Sequence, residues 1–429
     1  MPGRLEKTPV LHHKASPASP QTGAAEKDAA PQDGRSAPCT NNRPCKHDFH
    51  QTRLLIGRYF VFCVMDLIQE LNDKPSRKKL LYPVNAELSD YLKRQGREVR
   101  LPVSHRDLLR FTWSVPIKDS FGNHTLWEKA IYDKRDWDYL KEGLVKIYAV
   151  LKTEGDLSFA DQLDVARIDY CSFGNSLPFR IRIINKFNSN FDHYYMKIND
   201  ASRIYGLELE HILSPNRITF YTDGGTLVEE HIPGIAGDVF INEYLDREET
   251  NKTRLAKEFV KFNERCFVRL LGDMRSYNFV VVATPDIECY QYRIRAIDFD
   301  QQCYEGRRNL YFPQFFKENN IYVQNVVNQL NRESVEQYRA EERSAMAFRV
   351  AVSRFRLMEL LNIMSRDVIS PDEKRRLLRD QLNEYFKTEA FNRCRTMGQI
   401  LKLHLKNMLR SNLKLIQEKT RNLKTATVV

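Results

Sequence analysis

Residues 270–282 read LLGDMRSYNFVVV, and residues 295–300 read RAIDFD. The first stretch sets an acid, Asp273, five residues before an amide, Asn278, and then enters an apolar β-branched run that predicts a strand. The second closes an alternating run, YQYRIRAIDFD, with Asp298 and Asp300 on either side of Phe299. An acid placed straight after an apolar strand is costly to bury without a positive partner. A metal ion or Lys197 would supply one. NFVVVATPD and YQYRIRAIDFD are predicted to pair across a turn near Pro285-Asp286.

Working outward, VARIDYCSF, PFRIRIIN and HYYMKI alternate apolar and polar residues over short runs bounded by Gly, Asn and Pro. That pattern predicts three antiparallel strands. A helix, DASRIYGLELEHIL, follows with Asp200 or Ser202 as N-cap, and SPNRITFYTDGGTLVEEHI reads as a hairpin around Asp223-Gly224-Gly225. Residues 51–160 read as a helical accessory region, from LLIGRYFVFCVMDLIQEL through NAELSDYLKRQ to DWDYLKEGLVKIYAVLKTEG. Residues 233–429 are expected to be mainly helical apart from the strand pair, with Arg- and Lys-rich faces toward the end. Residues 1–50, rich in Pro, Ala, Ser, Asn and charge, predict a flexible tail.

The chain has 429 residues, of which 42% are hydrophobic, with 17 Gly and 17 Pro. Enough apolar side chain is present to offset chain entropy, which excludes wholesale disorder, and the Gly and Pro counts exclude a collagen-like chain. The longest apolar run, Leu54 to Ile68, is too short for a bilayer and holds Arg58 and Asp66. The opening residues hold no apolar stretch of signal-peptide type, so a cytoplasmic location is expected. Eight scattered Cys read as reduced thiols. Sixty-seven Lys and Arg against 56 Asp and Glu give a net charge of +11 and point to an anionic partner. Cys39, Cys45, His47 and His50 lie close together in CTNNRPCKHDFH, but their spacing matches no common zinc pattern, and a polar tail is the simpler reading.

The motifs in their order resemble the protein kinase-like superfamily. DMRSYN resembles its catalytic loop DxxxxN, IDFD resembles its metal-binding DFG segment, and Gly272-Asp273 is closest to the HGD loop of the aminoglycoside phosphotransferase and choline kinase branch. The resemblance covers about residues 164–305. It implies an α+β, two-lobed kinase-like fold: a small antiparallel-sheet N-lobe at 161–232, a mainly helical C-lobe at 233–429, and the helical extension before them. It further implies ATP and Mg2+ as cofactors. Asp273 would orient or deprotonate a hydroxyl acceptor, Arg275 would neutralise the moving phosphoryl group, and Asn278, Asp298 and Asp300 would hold magnesium.

Upstream, Lys197 in HYYMKI takes the place of the lysine on the α- and β-phosphates, with Glu208 as its helical carboxylate partner. Glu208 is preferred to Glu210 because Leu209 and Ile212 beside it give the pattern of a packed helix. LVEEHIPG resembles the hinge, where backbone groups of Glu230 to Ile232 would meet the adenine edge. The phosphate loop would be CSFGNSLP, with Gly174 as its single glycine. Leu271 stands where the family has His, and Asp300 where DFG has Gly.

The leading expectation is a kinase acting on a hydroxyl-bearing substrate, with a small molecule, sugar or lipid favoured over protein. A catalytically inactive pseudokinase is one alternative. A nucleic-acid or anionic-surface binder is another, motivated by the basic amphipathic segment LKLHLKNMLRSNLKLIQEKTRNLK, whose simpler reading is a packed terminal helix able to make weak anionic-surface contact. Nucleic acid is not the expected partner.

Overall fold

The computed structural model describes residues 79–119, 122, 124–287 and 290–426, with side chains through residue 419. The expected tail, the CTNNRPCKHDFH cluster and the Leu54 to Ile68 run lie outside the described residues. The chain is a mixed α/β fold with a seven-stranded antiparallel sheet and many helices.

In chain order the first elements are α1 (Ala86–Arg94), α2 (His105–Leu108), β1 (Trp113–Lys118), β2 (His124–Ile131), α3 (Lys134–Thr153), β3 (Leu163–Tyr170), β4 (Phe179–Asn185) and β5 (Phe191–Ile198). There follow α4 (Ala201–Leu213), β6 (Phe220–Asp223), β7 (Thr226–Glu230), β8 (Ile235–Ala236), α5 (Gly237–Glu243) and α6 (Lys252–Arg269). The remainder is β9 (Phe279–Pro285), β10 (Tyr290–Ala296), α7 (Asn320–Gln329), α8 (Arg332–Val352), α9 (Arg354–Met364), α10 (Asp372–Phe386) and α11 (Met397–Ala426). The large sheet has the order β1-β2-β3-β4-β5-β7-β6, and a small sheet has the order β10-β9-β8.

The expected strands and hairpins are present. Asp223 faces Thr226 across the two-glycine turn of the β6–β7 hairpin, and Gly224 adopts φ 53°, which costs a glycine nothing. Ala296 pairs with Phe279 at one end of the β9–β10 ladder and Tyr290 with Pro285 at the other. Asp200 is the N-cap of α4, its carboxylate accepting from the Arg203 N–H.

The reading of 51–160 as helical needs correction among its described residues. Trp113–Lys118 and His124–Ile131 form a hairpin that extends the large sheet through β2–β3 pairing. Most of β1 is exposed and only Ala130 of β2 is fully buried, so neither strand shows the apolar alternation by which a half-buried strand is recognised. Pro116 lacks a ladder donor, which suits an outer strand.

The sheet separates two hydrophobic clusters. On one face Ile181, Ile183, Tyr194, Met196 and Val228 pack against Leu140, Leu144 and Ile147 of α3. On the other face Leu227 and Phe220 join a larger cluster with α4, α6 and the later helices. Fully burying one such aliphatic side chain contributes about 1.5–3 kcal/mol. Ile400, Leu401, Leu405 and Leu409 of α11 are buried in this second cluster, so the basic terminal segment is a packed helix. Among the described residues no helix is long and apolar enough to cross a membrane, and Cys171, Cys266, Cys303 and Cys394 are free and buried.

Candidate active site

Helix α6 ends on Leu270, whose left-handed conformation (φ 54°) turns the chain into the GDMRSYN loop. Asp273 is also left-handed, at φ 56°, a position that costs a non-glycine residue some strain. Backbone bonds fix it there: Gly272 donates to the Gln301 carbonyl at 3.2 Å and Asp273 to that of Leu310 at 3.2 Å. Inside the loop, the Asn278 side-chain amide donates to the Asp273 carbonyl at 2.7 Å. The Ile297 N–H donates to the Asn278 carbonyl at 3.0 Å, which ties the loop to the IDFD turn. These bonds set Asp273, Asn278 and the Ile297-Asp298 segment beside one another.

Leu271 is fully buried in the core and offers the loop no polar support. Gln302 offers it instead, its amide donating to the Arg269 carbonyl at 2.6 Å and to that of Leu270 at 3.3 Å. Sequence reading missed Gln302, because one glutamine two residues beyond IDFD has no pattern to mark it.

Arg275 donates from Nε to Asp273 Oδ1 at 2.8 Å and from Nη1 to Glu318 Oε1 at 2.6 Å, with its guanidinium 5.0 Å from the Phe316 ring centre. Burial raises the Asp273 carboxyl to about 6 against the opposing pull of Arg275. Asp273 Oδ2 has no partner among the described residues.

Lys197 departs from expectation. Its ammonium pairs with Glu229 Oε2 at 2.7 Å, and Glu208 is not its partner. Glu208 accepts from Tyr91 at 2.6 Å and from Arg356 at 2.8 Å. The reason is helical geometry. At about 100° per residue, five residues place Glu208 roughly 140° around α4 from Arg203, the residue that does face the site. Glu229 was recoverable in principle: Tyr195 pairs with Glu229 and Lys197 with Leu227, so Lys197 and Glu229 are diagonal neighbours on one sheet face.

Arg203 joins these groups into one network. Its Nε and Nη2 grip both oxygens of Glu229, and its Nη1 donates to Asp298 Oδ1 and Asp300 Oδ1, each at 2.8 Å. Although burial opposes the charge of Glu229, Arg203 and Lys197 hold its carboxyl down to about 2. Burial and Arg203 lower the Lys197 ammonium, with Glu229 opposing. Asp298 is pushed up by burial and by neighbouring Asp300, whereas Asp300 is held down by Arg203 and Lys79 despite its own burial. Two positive and three negative side chains leave a net charge of −1.

Helix α4 can come this close because it carries small residues on that face. Ser202 donates to the Gln302 carbonyl at 2.7 Å, and a Cβ on Gly206 would stand 2.9 Å from the Phe299 Cβ.

The remaining expected residues divide. Ser176 in the Gly174 loop is buried, and its carbonyl accepts from the Ile198 N–H at 2.9 Å, which sets the loop against β5 one residue from Lys197. Gly174 is needed because a Cβ there would stand 2.5 Å from Pro178 Cδ. The Glu230 N–H already donates to the Thr219 carbonyl at 3.0 Å, so it is not available to an adenine edge. Ile232 has no backbone partner among the described residues.

Among the described residues no group of three or more His, Cys, Asp or Glu could hold a metal ion. Magnesium needs fewer, because it binds through one or two carboxylates together with water and phosphate oxygens. Asp298 Oδ1 is taken by Arg203 and by the Asp300 N–H, which leaves Oδ2 without a partner among the described residues. Asn278 commits its amide nitrogen to Asp273 and keeps its oxygen. These two oxygens fit the donor chemistry of magnesium.

No protein-family model matches the sequence, and no curated protein matches it. Among solved structures the chain shows a weak similarity to a protein kinase domain, the "Crystal structure of Rad53 kinase domain and SCD2". The identity is 13%, the TM-score 0.19, and the match covers 42% of this chain and 80% of that one. A score of that size carries no argument, so the functional reading rests on the site itself.

Proposed function

We propose that the chain is an ATP- and Mg2+-dependent phosphotransferase with a two-lobed kinase-like fold. In this reading the sheet lobe takes in β1, β2 and α3 as well as 161–232, and 233–429 is the helical lobe. One observation carries the proposal: the Asn278 side chain and carbonyl bind Asp273 and Ile297, so acceptor carboxylate, amide oxygen and Asp298 share one corner.

The chain's own groups have separate tasks. Asp273 Oδ2 takes the hydrogen bond of the acceptor hydroxyl and orients its oxygen on the terminal phosphorus. As that oxygen–phosphorus bond forms, the bond to the bridging oxygen of ADP breaks and the hydroxyl proton passes to Asp273. Arg275 fixes Asp273 and has Nη2 left to face phosphoryl oxygens. Lys197 approaches the inner phosphates from β5, and Ile232 offers backbone groups to the adenine edge. Asn278 and Asp298 would hold the magnesium ion, with Asp300 steadying Arg203 beside it; the ion supplies charge neutralisation at the triphosphate. Gly272-Asp273 and Asp300 favour a small-molecule, sugar or lipid hydroxyl over protein as acceptor.

The test is transfer of labelled γ-phosphate from ATP with magnesium into a cell extract, separated into protein, lipid and small-molecule fractions. Label that requires Asp273, compared with Asp273→Asn, supports the enzyme, and the labelled fraction gives the acceptor class. One observation favours a second reading, an inactive pseudokinase: the Arg203 guanidinium sits on Asp298, the carboxylate assigned to the metal, and on its neighbour Asp300. A nucleotide-induced rise in melting temperature does not separate the two readings, since binding alone stabilises the native state. Turnover does.

A further inference from the structure

A second concave site lies between α6 and the β9–β10 hairpin, with a volume of about 740 Å³. Six cations line it: Arg217 from the segment after α4, Arg254, Lys257 and Lys261 from α6, and Arg293 and Arg295 from β10. None belongs to the network around Arg203. Period places the cations of each element on one face, and tertiary packing brings those faces together. Residues 254, 257 and 261 recur on one helical face, and 293 and 295 on one strand face. The free edge of β10 is pinned to α6, because the Ile294 N–H donates to Glu258 at 3.2 Å and Arg265 donates to the Ile294 carbonyl at 3.1 Å.

The charges here are largely uncompensated. Arg254 pairs with Asp286 at 3.1 Å and Lys261 with Glu341 at 2.8 Å, while Glu258, the one carboxylate in the lining, is taken by Arg265 at 2.6 Å. Arg217, Lys257, Arg293 and Arg295 form no ion pair among the described residues. Lys257 lies over the Tyr338 ring, and Arg295 donates to the Arg217 carbonyl at 2.9 Å while its buried Nε has no partner. The carboxylates that face Arg295 are engaged elsewhere: Glu210 by Arg269 and Asn216, and Glu230 by the Thr219 N–H.

We propose that this pocket binds the phosphoryl groups of a compact, multiply phosphorylated ligand. A folded chain keeps like charges in a concave wall at a cost, and an anion that enters removes it. Each phosphate monoester brings about −1.5 to −2 charges, so two or three would satisfy the four free cations. Arginine forks match phosphate oxygens in pairs, and the volume lies within the usual range for small-molecule sites. The same phosphoryl chemistry is offered by a soluble polyphosphate or by a phosphorylated lipid headgroup.

The test is calorimetric titration of the full chain with inositol hexakisphosphate at low salt, together with sedimentation on phosphatidylcholine vesicles with and without phosphatidylinositol bisphosphate. Wild type should bind, and Arg217→Ala with Arg293→Ala, both exposed positions, should weaken binding by about tenfold or more. A control that removes three charges from the exposed face of α11, Lys406→Ala, Arg410→Ala and Lys414→Ala, should bind like wild type. Binding to the soluble probe alone identifies a free ligand, and binding to the phosphoinositide vesicles as well identifies a headgroup. No binding by wild type, or equal weakening in the control, overturns the proposal.

Discussion

The network around Arg203 and the pocket between α6 and β10 are both crowded with charge, yet they are built in opposite ways. In the first, every cation has a carboxylate within 3 Å, and one guanidinium serves three acids. In the second, four of six cations form no ion pair among the described residues. A closed network holds its own geometry and exchanges partners only at a cost. An open one stores repulsion that a ligand relieves. Preorganised chemistry is expected of the first and anion capture of the second.

The comparison is sharpened most by Asp273→Asn. If the closed site carries phosphoryl transfer, this substitution lowers the rate by about 10²–10⁴-fold while ATP binding persists, and the α11 charge control leaves the rate alone. Equal turnover in all three proteins would falsify the assignment of the reaction to this corner.

Glu229→Ala contrasts the two regions by stability. Removing the acid leaves Arg203 and Lys197 buried without it, and denaturant unfolding should report a loss of about 3–5 kcal/mol. Arg293→Ala in the pocket should stay within about 0.5 kcal/mol of wild type, as an exposed unpaired side chain does. Similar losses at both positions would erase the distinction between closed and open sites.

A smaller effect is expected at Gly206. An added methyl must displace Phe299 or α4, and Gly206→Ala should lose about 1–3 kcal/mol in the same experiment and reduce turnover with it. Unaltered stability and rate would show that α4 does not need its close approach.

The smallest effect concerns pH. Because burial raises the Asp273 carboxyl to about 6, kcat/KM should fall as pH drops below about 6 and level off above it. The stability contribution of the same group has the opposite sign. The folded state favours its protonated form, so that contribution is present below the ordinary value of 3.8 and is lost as pH rises through about 6. Glu229, held near 2, stabilises above the ordinary 4.5 and loses that contribution as pH falls toward 2. A rate profile with no inflection near 6 would remove Asp273 from the proton's path.

Much of this molecule was legible before its structure. Alternation marked β3, β4 and β5, the paired glycines marked the β6–β7 turn, and Asp200 or Ser202 marked the start of α4, since each depends on residues near one another in sequence. The DxxxxN spacing brought Asp273 and Asn278 together for the same reason. β1 and β2 were missed because almost none of their residues is fully buried, and Glu208 was chosen because apolar neighbours report that a helix is buried without reporting which face meets the site.

The sequence by itself therefore determined the order of elements from β3 to β7, the β9–β10 pair and the local acid-amide loop, for which period, caps and turn residues suffice. Only the tertiary structure decided that Lys197 pairs with Glu229, that Arg203 binds three acids, that Gln302 supports the loop, and that six cations share one cavity. The physical reason is that charge pairing depends on distance in space. Groups 26 to 97 residues apart, such as Arg203 with Glu229 and with Asp300, carry no mutual mark in the chain until packing brings them within 3 Å.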